Sequence, residues 1–319
     1  MLSRVASALY RTARQMERAD HLARILDVHA GVFLDRPGAV AADYWPRVLA
    51  LADIAAPEGT GEVLATELSL DGVRDAVAGA RRLALAIRPS ISTEVFEQLN
   101  VLHWKLQESR AELLHDQLHD HLLKVQLGVH LVVGLIEDTM AHDEAWDFLR
   151  LGKYIERAGA VTQLVTRKLS ELAGNDDPVL WAGVLKCCSG FEAYRNRFSA
   201  PVTAGRVAAF LLLDRTLPRS AGFCVNEALW SVRRIDGPEE QSQPHRLLGR
   251  LSALFDYTEE AEVSADALGF QKSFFDLAFP LERALHNHYF QPNQVVVEQS
   301  QPPVWAQTPQ QQQQSNWSG

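Results

Sequence analysis

Apolar residues return with a helical period along almost the whole of this chain, and no stretch alternates apolar and polar residues as a half-buried strand does. A first long helix is predicted from about Leu2 to Leu34, where Leu9, Met16, Ala23 and Ala30 recur along one stripe until Pro37-Gly38 stops it. Residues 38–68 are the least regular folded part, broken by Pro46, Pro57, Gly59 and Gly61. A second helix, about Asp71 to Arg88, carries Val73, Val77, Ala80, Ala84 and Ile87 and ends at Pro89. Ser92 reads as the N-cap of a long helix through about Val125, which "LGVHLVVGLIEDTM" continues or restarts. Asp143 caps a helix running to about Leu172, closed by Gly174-Asn175. Pro178 opens another to about Phe198, and Thr203 and Pro218 open two more. "HRLLGRLSALFDY" and "ADALGFQKSFFDLAFPLERALHNHYF" complete the set, with Pro280 a kink site in the last. The fold class is all-α: a multi-helix bundle of roughly nine helices over residues 1–290, with pseudo-symmetric halves at about 1–140 and 141–290. Residues 291–319, rich in Gln, Pro and Ser, are expected to form a disordered tail, with Trp305 and Trp317 unusual within it.

One short word is written twice on these helices. Glu17-Arg18-Ala19 lies in "RQMERADHLARILDV" and Glu156-Arg157-Ala158 in "GKYIERAGAVTQLVT". When residues 9–26 are set against 148–165, Arg11 also matches Arg150, Arg14 matches Lys153, and the apolar register is kept at Met16/Ile155, Leu22/Val161 and Ile25/Leu164. Duplication of a helical half follows as the expectation. A third "LERA", Leu281 to Ala284, has surroundings that do not match and reads as coincidence.

Neighbouring helix residues point about 100° apart, so neither Glu-Arg pair can satisfy itself. Tyr10, Arg14, Glu17, His21 and Arg24 share one broad face of the first helix, while Arg18, Leu22 and Ile25 share another. A helix apolar on several sides is packed on several sides, so Glu17 and Arg18 should be at least partly buried and must find partners elsewhere. Two readings stand. In the first, Glu17 pairs with Arg157 and Glu156 with Arg18 across a pseudo-twofold helix crossing, fixing the register of the two halves. In the second, Arg14, Glu17, Arg18, Lys153, Glu156 and Arg157 line a polar groove for a ligand or peptide. Arg219, near the start of the helix after Pro218, joins the candidate binding residues because a helix N-terminus with Arg beside it can hold an anion; Asp214 reads as a turn or cap residue.

Other chemistry finds little support. The formal charge of −9 argues against non-specific nucleic-acid binding and against docking on an anionic membrane. No run approaches 18 uncharged apolar residues, and the N-terminus does not read as a signal peptide. Cys187, Cys188 and Cys224 form no disulfide framework, and a reducing cytoplasm is the expected home. Glu112-x-x-His115 puts two ligand types on one helical face, but a di-iron bundle needs a second such motif, and the chain has none. No nucleophile elbow and no glycine-rich phosphate loop is present. Neither a metal, a cofactor nor a catalytic residue is assigned.

Several stretches together resemble the bacterial alpha-E family of helical proteins, named for a Glu-Arg motif. They are "MLSRVASALYRTARQMERADHLARILDVH", "STEVFEQLN", "TMAHDEAWDFLRLGKYIERAG", "FEAYRNRFSAPVTAGRVAAFLLLDRTLPRSAGFC", "RLLGRLSALFDY" and "LHNHYF". The chain departs from the family pattern at Arg11 to Gln15 and at Val225-Asn226. The resemblance implies partners: an ATP-grasp-like amide ligase and a transglutaminase-like protease, in a system that makes and trims peptides or peptide tags. The expected function is therefore that of a non-catalytic interaction or scaffold protein. The alternative is an enzyme using a buried Glu/Arg centre for acid–base or group-transfer chemistry.

Overall fold

In the computed structural model, residues 1–35, 44–51, 54–57, 59–108, 117–172, 177–198, 201–238 and 241–291 are described. Among them the chain is helical and free of strands. Thirteen α-helices follow one another: α1 (Ser3–Asp35), α2 (Tyr44–Leu51), α3 (Glu62–Ala86), α4 (Thr93–Glu108), α5 (Leu118–Thr139), α6 (Glu144–Glu171), α7 (Pro178–Cys187), α8 (Phe191–Arg197), α9 (Ala204–Leu213), α10 (Ala221–Asp236), α11 (Gln243–Tyr257), α12 (Glu260–Ala265) and α13 (Ala267–Leu285). A 3-10 turn at Arg88–Ser90 and a π-turn at His286–Phe290 complete the described elements.

The number exceeds the nine expected, for local reasons. Ser189 takes a left-handed φ of 48°, which breaks the helix anticipated from Pro178 to Phe198 into α7 and α8. The stretch anticipated as one helix from Ser92 holds α4 and α5, with residues 109–116 between them outside the described ones. Short helices such as α2 and α12 are too brief to display a 3.6-residue period. Pro280 sits within α13, and the helix after Pro218 starts at Ala221, with the Ser220 hydroxyl accepting from the Phe223 N–H as its N-cap. Asp143 caps α6 as expected, accepting from the N–H groups of Ala145 and Trp146. The expected stops at Pro37-Gly38 and Gly174-Asn175, the Glu112-x-x-His115 pair and the tail from residue 292 lie outside the described residues.

The fold is built round α1. It packs on α3 and α6 most extensively, and also on α5, α7 and the C-terminal π-turn. Its buried positions are rich in alanine (Ala6, Ala8, Ala13, Ala19, Ala23 and Ala30), which lets neighbouring helices approach from several directions. The crossing with α6 is close. There Gly152 lies so near the Tyr10 carbonyl that a side chain's first carbon would overlap it. That crossing sets the Glu-Arg segments of α1 and α6 against each other. Among the described residues, no helix is long and apolar enough to cross a membrane.

Candidate functional site

A buried ion-pair network occupies the α1–α6 crossing. Glu17, only 3% exposed, accepts from Arg157 of α6 through both carboxylate oxygens, with Nε–Oε1 and Nη2–Oε2 distances of 2.6 Å. This fork-to-fork pairing is the strongest geometry open to a carboxylate and a guanidinium. Arg219 adds a second contact to Glu17 Oε1 at 3.3 Å and donates to Asp20 as well. Asp20, fully buried, also accepts from Arg24 Nε at 2.9 Å, one helical turn along α1. Arg24 in turn donates to the Ser189 hydroxyl at 2.8 Å and lies 2.9 Å from His130 Nε2.

Three guanidiniums thus surround two carboxylates, and that excess decides their protonation. Burial pushes the Glu17 carboxyl up, but Arg157 and Arg219 overcome it and hold the group below the usual carboxylate range. Burial likewise opposes ionisation of Asp20, and Arg219 and Arg24 bring it down to about 2. His21 lies beside these groups, and burial lowers it to about 4, leaving it neutral at neutral pH. Both carboxylates are ionised, paired and unable to act as acids near pH 7.

A second, shallower cluster lies along the same face of α1. Arg14 Nε donates to Glu156 Oε2 at 2.7 Å, and Arg14 Nη1 donates to Glu282 Oε1 at 2.9 Å. The Tyr10 hydroxyl also donates to Glu282, at 3.2 Å. One expectation is corrected here. Glu156 pairs with Arg14 and not with Arg18, because Arg14 sits between two carboxylates and takes both. The glutamate of the "LERA" at Leu281 to Ala284, read only as a chance match to the repeated word, joins this cluster from α13. Arg18 is exposed and, among the described residues, makes no ion pair or hydrogen bond. Arg219 is buried in contact with Glu17 and Asp20, so it is committed within the network and not open to an anion; Asp214 accepts from the N–H groups of Thr216 and Leu217 and is the turn residue expected.

Lys153 stands apart from both clusters. Its ammonium lies 4.4 Å from the Tyr154 ring centroid and 3.7 Å from Glu137, and burial, helped by Arg157, lowers it to about 8. The cavity beside it holds about 30 Å³, room for roughly one water. A larger cavity of about 300 Å³ opens where α1, α6 and α13 meet; Arg14, Arg18, His21, Glu156 and Glu282 line one side of it.

Sequence reasoning reached Glu17, Arg157, Arg14 and Glu156, and missed Asp20, Arg24 and Glu282. An i, i+4 Asp-Arg pair on the face already carrying Glu17 was the available signal for the first two. Among the described residues no group of His, Cys, Asp and Glu could hold a metal ion. His119, from the stretch with Glu112-x-x-His115, instead lies 2.7 Å from Asp27. All three cysteines are free and buried, and burial raises the Cys188 and Cys224 thiols to about 12, which leaves them protonated and inert.

Comparison with known proteins returns a family model, Alpha-E, described as a predicted alpha-helical domain with a conserved ER motif, over residues 1–290. Uncharacterised proteins of Mycobacterium bovis and of Mycobacterium tuberculosis are 26% identical to the chain over 145 residues, covering 44% of it and 16% of each of them. The match thus spans about a sixth of the length of these relatives. No solved structure matches.

Proposed function

Since the chain belongs to the Alpha-E family, we propose that it works by binding and not by catalysis, as a rigid helical scaffold for an ATP-grasp-type amide ligase and a transglutaminase-like protease in a peptide-forming or peptide-tagging system. One observation carries the reading: the carboxylates of the polar centre pair with guanidiniums, through Glu17–Arg157, Asp20–Arg24 and Glu156–Arg14. A general acid needs a proton to give at working pH, and Glu17 and Asp20, held below their ordinary values by their arginines, have none. Their service is to lock helices in register. We also read α1 and α6 as copies of one ancestral unit, and the free buried cysteines as suited to a reducing cytoplasm.

The catalytic alternative keeps one specific support, the lowered Lys153. A base near pH 8 is chemically useful. The space beside it, about 30 Å³, is too small for a substrate, which weighs against this reading.

The test is co-expression of the tagged full chain with an ATP-grasp-like ligase and a transglutaminase-like protein from the same organism. A complex surviving gel filtration, with no turnover by the helical chain alone, is the expected result. Failure of both proteins to bind overturns the scaffold reading, and turnover abolished by Lys153→Arg favours the alternative.

A further inference from the structure

The cavity of about 300 Å³ has two unlike sides. From α1 and α6 come Arg14, Arg18, His21 and Glu156; from α13 comes an aromatic wall of Phe274, Phe275 and Phe279, with Phe275 and Phe279 stacked at 5.5 Å between centroids. The charged side is not uniformly satisfied. Arg14 is held between Glu156 and Glu282, so its charge is spent within the protein. Arg18 is not: it is exposed on the cavity and, among the described residues, carries no partner. His21 is 8% exposed, lines the same cavity, and its Nε2 is buried without a hydrogen-bond partner. Buried polar nitrogens are ordinarily bonded, so His21 stands out in the cavity wall, although this nitrogen is closed off from the open space. The aromatic side carries a further anomaly. Phe279 is 67% exposed at the cavity's edge, a large apolar surface left in water.

We infer that this cavity binds a carboxylate attached to an apolar, phenylalanine-sized group, as presented by an apolar amino acid or by the C-terminal residue of a peptide. Arg18 supplies the free guanidinium for the carboxylate, in the bidentate geometry that pairing favours. Burial keeps His21 neutral, so it brings no competing charge to the cavity wall. Phe274, Phe275 and Phe279 cover the apolar group, and the volume is at the lower end of the range for small-ligand pockets, which limits the bound portion to about a residue or two. The inference rests on the reading of the chain as a binding protein, and names what it binds at this place.

The experiment is calorimetric titration of the full chain with N-acetyl-L-phenylalanine, N-acetyl-L-phenylalanine amide, N-acetyl-L-alanine and free L-phenylalanine. The acetylated acid is expected to bind, with the amide and the alanine derivative each weaker by about tenfold or more. In Arg18→Gln, which alters an exposed side chain, the acid should fall to the affinity of the amide; Phe279→Ala should weaken the acid and the amide alike. Free phenylalanine binding as tightly as the acetylated form assigns the site to amino acids, and binding restricted to the acylated form assigns it to peptide C-termini; either supports the proposal. It is overturned if the unaltered chain binds none of these at millimolar concentration, if acid and amide bind equally, or if Arg18→Gln leaves the acid unaffected. Capture of the ligase or the protease is a separate measurement, so either result can fail without the other.

Discussion

At Glu17 the physics of a single helix was enough to anticipate a long-range contact. A glutamate that cannot reach the adjacent arginine, on a helix packed from several sides, needs a cation from elsewhere, and the matching segment supplied Arg157. Arg18 failed the same reasoning because its side of α1 is open, which only the placement of α13 decides. The network also fixes a pH response. His21 has a folded value of about 4 against 6.5 when free, so below pH 6.5 the unfolded chain takes up a proton that the native state refuses, and stability falls until about pH 4. Its share is on the order of 3 kcal/mol. Glu17 and Asp20 titrate below their ordinary values, so their contribution is complete above about pH 4 and is lost as pH drops toward 2. Thermal melts across pH 2–8 should therefore show continuous acid destabilisation. His21→Gln should reduce the fall above pH 4, to which buried His29 also contributes, and leave the steep part below it. A profile unchanged by that substitution contradicts the buried, neutral placement of His21.

At the scale of elements, period and caps located the long helices closely. α1 was expected at about Leu2 to Leu34 and runs Ser3–Asp35; α6 was expected from Asp143 to Leu172 and runs Glu144–Glu171 with Asp143 as its cap. What periodicity cannot carry is a break made by one backbone angle, as at Ser189, or the distance between helices. Nothing in the sequence around Gly152 marks it, yet it is where α1 and α6 touch. Gly152→Ala should lower stability by about 2 kcal/mol or more, because the backbones must separate and loosen Glu17–Arg157 with them. Gly134 on α5 has nothing within 4 Å of the corresponding point, so Gly134→Ala should stabilise by about 0.5–1 kcal/mol through helix propensity alone. Chemical denaturation of the two variants compares a packing glycine with a tolerated one. Equal effects would mean the crossing is looser than described.

Across the whole molecule, one long alanine-rich helix gathers partners from both ends of the chain. Its face meets Glu156 and Arg157 from α6, Arg219 from the turn before α10, and Glu282 from α13. An all-α bundle and the meeting of two motifs were legible because they follow from patterns along the chain. Glu282 was not, because nothing local in "LERA" says that α13 returns to Tyr10 and Arg14. Residues from Gln291 onward hold few apolar side chains, so deleting 296–319 should leave the thermal midpoint unchanged, and a fall of several degrees would show the tail docking on the bundle. The central claim is that the Glu17–Arg157 pair ties these distant parts of the chain into one unit. A double-mutant cycle in urea tests it directly, followed by fluorescence of Trp45 and Trp104 early in the chain and of Trp146, Trp181 and Trp230 later. Glu17→Ala and Arg157→Ala should each cost about 3–5 kcal/mol by stranding a buried charge, and the double variant should cost clearly less than their sum, with one shared transition in every form. Additive losses within about 0.5 kcal/mol, or single variants as stable as the unaltered chain, would contradict it.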